Sequence, residues 1–264
     1  MSDATRYGVL DGVATITLDR PDNRNALSDE LVGSLAAHLE AAMADDAVRA
    51  VVLTNTGNTF CAGADLKASQ PGVPSAQSRH TFVDVFEMIL AAPKPVIGRV
   101  DGHATAGGVG LVAACDLSVM RDDAILGFTE VRIGVAPAVI SVVCLPKMRR
   151  ADASELFLTG ERISAERAVQ VGLVNRAVPA AQLDQAVDRY VDAVVRGGPL
   201  ALAAAKELIT RVPDLDRAEA FPWTSARSQA LFRSEEAQAG IAAFRNREPA
   251  PWVPAARRTG QDRA

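Results

Sequence analysis

Two short segments of small residues carry the clearest chemical potential in this sequence. Residues 60–65 (FCAGAD) and residues 102–108 (GHATAGG) each follow an apolar, strand-like run, and we expect each segment to lead into a helix. A turn at the start of a helix leaves backbone N–H groups without intrahelical partners, and such groups can bind an anion. Two turns directed at one point would form an oxyanion hole, which predicts an enzyme.

The amides of Ala64 and Gly107 are the predicted donors of this oxyanion hole, because small side chains let a substrate approach the backbone closely. One such donor contributes roughly 3–4 kcal/mol when negative charge develops on a carbonyl oxygen. A helix beginning at Gly107 would add the positive end of its dipole. For a single glycine pair, close packing of a strand against a helix would be the preferred explanation, but the sequence contains two matched turns.

Glu130 is the candidate general acid/base, because it lies a short way downstream of the second turn, between apolar residues. Apolar surroundings raise the pKa of a glutamate above its ordinary value of about 4.3, which suits a group that gives and takes protons. The alternative is a surface carboxylate that pairs with Arg132 or Arg121. The sequence leaves these two interpretations open.

Other catalytic and cofactor motifs receive little support. Residues 108–113 (GVGLVA) match the dinucleotide-binding pattern GxGxxA, but a single match is weak and Asp116 interrupts the expected helix too early. The sequence contains neither a GxSxG nucleophile elbow nor a P-loop. The cysteines Cys61, Cys115 and Cys144 form no CxxC or Cys/His cluster, so we predict no metal site.

Composition and charge are those of an ordinary globular protein. The 264 residues are 48% hydrophobic and 23% charged, with a net charge of −4, which argues against nucleic acid or an anionic membrane as the main partner. An odd number of cysteines disfavours a disulfide framework and fits a reducing compartment. With no secretory signal and no apolar run long enough to span a bilayer, we predict a cytoplasmic protein.

Hydrophobic patterning predicts the elements that position these residues. Residues 7–10 and 13–18 predict a hairpin, Ser28 predicts the N-cap of a helix, and residues 49–54 and 96–100 predict the buried strands that precede the two turns. Residues 70–78 predict a loop. We further predict short strands at 116–120, 124–128 and 173–177, with helices at 139–145, 153–158 and 165–171.

The pattern is helical from residue 180 onward, with a clear break at residues 197–199 (GGP). We therefore predict two parts, a core that contains both turns at residues 1–196 and a C-terminal helical region at residues 197–264. The strand–turn–helix theme occurs twice in the core without an exact sequence repeat.

The motifs together resemble the crotonase superfamily, which contains the enoyl-CoA hydratases and isomerases. The matching segments cover nearly the whole chain and include residues 14–21, 25–27, 60–66, 94–97, 113–116, 130–134, 158–160 and 172–174, with further matches between residues 232 and 252. The resemblance implies an α/β fold, a crotonase-like spiral of ββα repeats. It also implies a C-terminal helical region used in trimer formation, in a family whose trimers often pair into hexamers.

The resemblance also implies an acyl-CoA thioester substrate, a role in fatty-acid metabolism, and roles for particular residues. Ala64 and Gly107 would supply the oxyanion-hole amides, with Glu130 as the catalytic carboxyl. The substrate would be bound by Arg24, Ala26, Ala62, Asp65, Leu66, Lys67, Gly110 and Thr129, with Phe244 and Arg247 at the pantetheine and phosphate end, from the same or a neighbouring subunit. The resemblance implies no metal and no cofactor, since coenzyme A is part of the substrate.

One position departs from the family members that use two carboxylates. Those hydratases carry a glutamate three residues after the position of Gly107, where this chain has Gly110, and we expect this glycine to leave space beside the acyl group. A single carboxyl can move a proton between two carbons, or activate a water and return its proton. We therefore predict an enoyl-CoA hydratase, with a Δ3,Δ2-enoyl-CoA isomerase or a catalytically weak acyl-CoA-binding homologue as the alternatives.

Overall fold

The computed structural model describes residues 4–68 and 79–257, so the loop predicted at residues 70–78 lies outside the described residues. The strands of the described part are β1 (Thr5–Leu10), β2 (Val13–Leu18), β3 (Ala50–Asn55), β4 (Thr59–Cys61), β5 (Val96–Val100), β6 (His103–Thr105), β7 (Leu117–Arg121), β8 (Ile125–Gly127), β9 (Arg162–Ser164) and β10 (Arg176–Val178). The helices are α1 (Asp29–Ala44), α2 (Phe82–Ala91), α3 (Gly107–Ala114), α4 (Ala138–Cys144), α5 (Arg150–Thr159), α6 (Ala165–Gln170), α7 (Leu183–Val195), α8 (Pro199–Arg211), α9 (Arg217–Phe232) and α10 (Glu235–Asn246).

The larger sheet has the strand order β1-β2-β3-β5-β7-β10 and is parallel except for the β1–β2 hairpin. Every residue of β3 is buried, because α7 covers one face of the sheet while α1 and the other core helices cover the opposite face. The predicted hairpin is confirmed, and so is the helix after Ser28, whose hydroxyl caps α1 by accepting from the Leu31 amide.

A second sheet, with the strand order β4-β6-β8-β9, carries both small-residue turns. Strands β4 and β6 pair in parallel, with Thr59 opposite His103 and Cys61 opposite Ala104, so the two turns begin side by side. Only β8 of this sheet was predicted, within residues 124–128, because most strands of three residues are too short to show an alternating pattern. Its position explains how segments about forty residues apart in the chain come together.

The two turns lead into different structures. The second turn leads directly into α3, as predicted, but residues 66–68 form a turn and the next described helix is α2, which begins at Phe82. No helix begins in residues 66–68, which are the described residues that directly follow the first turn. The backbone of this turn is held instead by a parallel bridge between Leu27 and Ala64, with the Leu27 amide donating to the Gly63 carbonyl over 2.8 Å.

The chain is helical after residue 197, where α8 to α10 follow one another. Helix α8 is joined to the core by Lys206, whose ammonium pairs with Asp116 at 2.7 Å and donates to the carbonyl oxygens of Ile89 and Lys94. The division at residue 197 stays a prediction. Within the two described stretches, no helix is long and apolar enough to cross a membrane.

Candidate active site

The two turns pack directly against each other. A Cβ placed on Gly63 would lie 2.7 Å from the Cβ of Ala106 and 3.0 Å from the amide nitrogen of Gly107. A Cβ placed on Gly107 would lie 3.9 Å from the amide nitrogen of Ala64. The hydroxyl of Thr105 also donates to the Ala62 carbonyl, over 3.1 Å. The amides of Ala64 and Gly107 are therefore neighbours at the junction of the turns.

The backbone geometry leaves these amides available to a ligand. Gly107 is the first residue of α3, so its N–H lacks an intrahelical partner. Ala106, the N-cap, has φ of +50° and ψ of −123°, a conformation that costs a non-glycine residue on the order of 1–3 kcal/mol. In the described backbone, no hydrogen bond of either turn uses the amide of Ala64 or Gly107.

Gly107 and Gly108 have different structural roles. A Cβ on Gly108 would overlap the carbonyl oxygen of Cys61, so this glycine is needed for α3 to pack on β4. A Cβ on Gly107 would instead point at the side chain of Leu27, 2.7 Å from its Cδ1, beside the cavity. Close packing thus explains Gly108, whereas Gly107 lines a cavity.

Two cavities meet at Glu130. The larger has a volume of about 940 Å³ and is lined by Ala62, Ala64, Leu66, Ala106, Thr129, Glu130, Arg132, Ile133, Val135, Ala136, Gly160 and Arg162. The smaller has a volume of about 170 Å³ and is lined by Leu27, Ala64, Phe82, Ala106, Gly107, Glu130, Ala136, Pro137, Ala138, Val139 and Ile140. Glu130 lines both cavities together with Ala64, so the carboxyl and the first turn stand at their boundary.

The Glu130 carboxyl is half-buried and lies in a single 3-10 turn, Thr129–Ile133. Burial raises its pKa above the ordinary value, and this effect exceeds the opposing influence of the Glu130 backbone N–H. Its Oε2 atom is buried without a hydrogen-bond partner among the described residues. Arg121 pairs with Asp101 and Asp123 instead, so the alternative of a surface ion pair is wrong for the part of the chain described.

The residues predicted to bind the CoA part come from two segments that lie together. The Ala62 amide donates to the Arg24 carbonyl over 3.1 Å, and Asp65 accepts from Asn23 and from the Lys67 amide, over 3.0 and 2.9 Å. Ala26 is buried in the first of these segments. The role of Asn23 was not predicted, since its contact crosses between segments far apart in the chain.

The remaining predicted residues are more scattered. Leu66 and Thr129 line the larger cavity, and their role in substrate binding stays a prediction. Phe244 and Arg247 are exposed at the end of α10 and line neither of the two cavities. Their role at the phosphate end of CoA stays a prediction that requires a second subunit.

Gly110 does not leave space for an acyl group. It is buried in α3, and a Cβ placed there would lie 2.5 Å from Cγ2 of Ile140 and 2.8 Å from Cζ of Phe86. Gly110 lines neither cavity, so the prediction that it widens the acyl site is wrong. Close packing also explains the second glycine of the GxGxxA match, because α3 contacts α2 and α4 at Gly110.

We expect Gly110→Ala to destabilise the protein by about 1–3 kcal/mol, the usual cost of overpacking a filled core. Gly110→Glu should unfold more easily still, because its longer side chain would displace Ile140 and Phe86. Urea unfolding measures both changes. Adding Ile140→Ala should recover part of the lost stability of Gly110→Ala, and an additive loss in the double variant would contradict the contact.

The three cysteines take no part in this chemistry. Cys61, Cys115 and Cys144 are buried, and burial raises the pKa of each thiol to about 12, so all three stay protonated at neutral pH. No group of three or more His, Cys, Asp or Glu side chains in residues 4–68 and 79–257 is arranged to hold a metal ion.

The α/β fold is that of the crotonase superfamily. The chain belongs to the enoyl-CoA hydratase/isomerase family, whose model matches residues 9–254. The predicted resemblance and α/β fold class are therefore confirmed.

Individual relatives are similar to this chain over most of their length. The chain is 33% identical to the solved structure of an enoyl-CoA hydratase from Mycobacterium smegmatis, with a TM-score of 0.86 over 94% of this chain and 98% of that one. It is 30% identical to the Escherichia coli 2,3-dehydroadipyl-CoA hydratase, covering 88% of this chain and 91% of that protein. It is also 30% identical to the Thauera aromatica (E)-benzylidenesuccinyl-CoA hydratase, covering 90% and 94%.

Proposed function

We propose that this protein is an enoyl-CoA hydratase that adds water to the double bond of a 2-enoyl-CoA thioester. The observation that carries the proposal is the Glu130 carboxyl, which lines both cavities beside Ala64 and has a buried oxygen free of partners in the described chain. The names of the related hydratases from Escherichia coli and Thauera aromatica support the same reaction type.

In the proposed reaction, the thioester oxygen accepts hydrogen bonds from the amides of Ala64 and Gly107. The Glu130 carboxylate takes a proton from water while the water oxygen bonds to C3 of the substrate. The electron pair of the double bond then forms an enolate, whose oxyanion the two amides stabilise. Glu130 returns the proton to C2 from the same face, which completes a syn addition and regenerates the carboxylate.

The raised pKa of Glu130 supports this double role, because a group that accepts and returns a proton works best when its pKa is near the working pH.

A second candidate function, Δ3,Δ2-enoyl-CoA isomerisation, is favoured by a different observation. Glu130 is the only carboxyl residue that lines either of the two cavities, so no second acid from the described chain shares the water. Isomerisation needs only the one carboxyl.

The test is an absorbance assay of the purified protein with two substrates. Hydration removes the absorbance of a conjugated 2-enoyl-CoA, and isomerisation of a 3-enoyl-CoA creates it. We expect the first signal to dominate, while a dominant second signal would assign the isomerase. Calorimetric binding of acyl-CoA with neither activity would overturn both and leave the acyl-CoA-binding homologue.

The assembly and location belong to the same proposal. Residues 197–264 are proposed as the oligomerisation region of a homotrimer or of a hexamer formed by two trimers, and the exposed aromatic side chains of Phe221, Phe232 and Phe244 support this role. Light scattering of the purified protein tests the assembly, and a monomer would contradict it. The free thiols support a cytoplasmic location.

A further inference from the structure

Two arginines, Arg132 and Arg162, line the larger cavity together with Glu130. Arg132 lies in the turn that carries Glu130, and its Nε would be 3.2 Å from a Cβ placed on Gly160. Arg162 lies on β9, and its Cγ would be 3.1 Å from a Cβ placed on Gly127. Both side-chain stems therefore pack on glycines of adjacent elements, which lets two guanidinium groups reach one cavity.

Neither guanidinium has a carboxylate partner within the described ranges, unlike many other arginines of this protein. Arg99 and Arg121 both bind Asp101, for example, and Arg167 binds Asp152 and Glu155. A cavity with two unpaired guanidinium groups and one carboxyl has an excess of positive charge. Guanidinium groups bind carboxylate and phosphate oxygens with paired N–H donors, so the chemistry of the cavity suits an anionic ligand.

The smaller cavity is the more apolar of the two. Its volume is about 170 Å³, against about 940 Å³ for the larger cavity. Its lining contains no polar side chain except Glu130. A charged acyl end would lose its hydration there without a hydrogen-bond donor, whereas the larger cavity offers two guanidinium groups.

An anionic group in the larger cavity could be a carboxylate of the acyl chain or a phosphate of CoA. Bonds along an extended chain advance about 1.2 Å each, so the pyrophosphate lies about 16 Å from the thioester sulfur, thirteen bonds away. The far carboxyl of a six-carbon acyl chain lies only about 6 Å from the thioester carbon. Arg132 is two residues from Glu130, so its guanidinium lies within about 14 Å of the Glu130 Cα, close enough to reach the far acyl carboxylate.

We propose that Arg132 and Arg162 form an anion subsite that selects 2-enoyl-CoA substrates with a carboxylate at the far end of the acyl chain. The inference rests on the proposed function and specifies its substrate class. It assigns the two arginines to specificity, and it leaves the proton transfers to Glu130.

The test compares hex-2-enedioyl-CoA with hex-2-enoyl-CoA, which differ in the terminal carboxylate. We expect kcat/KM to be about 10- to 100-fold higher for the dicarboxylic thioester, the usual worth of a charged hydrogen bond. The double variant Arg132→Gln, Arg162→Gln should lose this preference, because its kcat/KM should fall much more for the dicarboxylic thioester than for hex-2-enoyl-CoA. The control is Arg6→Gln, which removes an exposed arginine that pairs with Asp19 away from the cavity and should change neither value.

Three results would overturn the subsite. If the double variant bound both thioesters and free CoA more weakly by the same factor, the arginines would be assigned to a CoA phosphate. If the double variant kept its preference for the dicarboxylic thioester, the two arginines would not contact the acyl carboxylate. If the unaltered protein had the same kcat/KM for both substrates, it would not select the dicarboxylic thioester.

Failure of the proposed function gives a different result, namely no turnover of either thioester. The subsite is then tested by calorimetric binding of adipyl-CoA against hexanoyl-CoA. A preference for adipyl-CoA that the double variant loses would support the subsite, and equal affinities would overturn it.

Discussion

Replacing Glu130 with glutamine is expected to lower kcat for hydration by roughly 10²- to 10⁴-fold, the contribution of a positioned acid/base. Glutamine has nearly the same shape but can neither take a proton from water nor return one to carbon. The affinity for a saturated acyl-CoA should change little, because the amides of Ala64 and Gly107 and both cavities remain.

Steady-state kinetics and calorimetry measure the two parts of this prediction. The matched control is Glu166→Gln, which changes an exposed glutamate of α6 that lines neither cavity and should keep full activity. A Glu130→Gln variant with more than a tenth of the original kcat would show that another group moves the proton.

The same variant should be more stable than the original protein at neutral pH. Burial raises the pKa of Glu130 in the folded state above its unfolded value, so the fold favours the neutral carboxyl. That stabilisation is present below the unfolded pKa of about 4.3 and is lost as the pH rises through the folded pKa. We expect Glu130→Gln to raise Tm at pH 7 and not at pH 4, and a lower Tm at pH 7 would contradict the pKa shift.

Replacing Gly108 with alanine is expected to lower kcat by about 10²- to 10³-fold, the effect of losing one oxyanion-hole donor. The added methyl group would overlap the carbonyl oxygen of Cys61, a backbone atom that cannot rotate away. Helix α3 must then move off β4, and the amide of Gly107 moves with it. The free energy of unfolding should fall by about 1–3 kcal/mol or more for the same reason.

Gly33→Ala is the control for this substitution, because Gly33 is also helical but a Cβ there meets no atom within 4 Å. It should stabilise the protein by about 0.5–1 kcal/mol and leave kcat unchanged. If Gly108→Ala proves too unstable to assay, Gly63→Ala tests the same junction from the first turn. A folded variant of either glycine with the original kcat would contradict the oxyanion hole.

Much of the site follows from local features of the sequence. Ser28 caps α1 because its hydroxyl reaches an amide three residues away, and residues 96–100 form a strand because all but one are buried. Gly107 begins α3 as expected. These outcomes depend on interactions between residues close in the chain or on the burial of a whole segment. Both produce a recognisable pattern of residue types in the sequence.

Other features depend on residues far apart in the chain. The second sheet consists of three-residue strands whose pairing, and not their pattern, makes them strands. Whether Gly110 leaves a space depends on Ile140 and Phe86, which fill it. The freedom of the Glu130 carboxyl likewise depends on Arg121 binding Asp101 and Asp123 instead.

The sequence by itself determined the family and the two small-residue turns and predicted Glu130 as the acid/base, because backbone conformation and residue chemistry are local properties. The tertiary structure alone decided that other side chains fill the space beside Gly110 and that Glu130 lines two cavities. It also decided that Arg132 and Arg162 line the larger cavity. The physical reason is that the shape and charge of a cavity belong to side chains from several elements, whose distances are set only when those elements pack together.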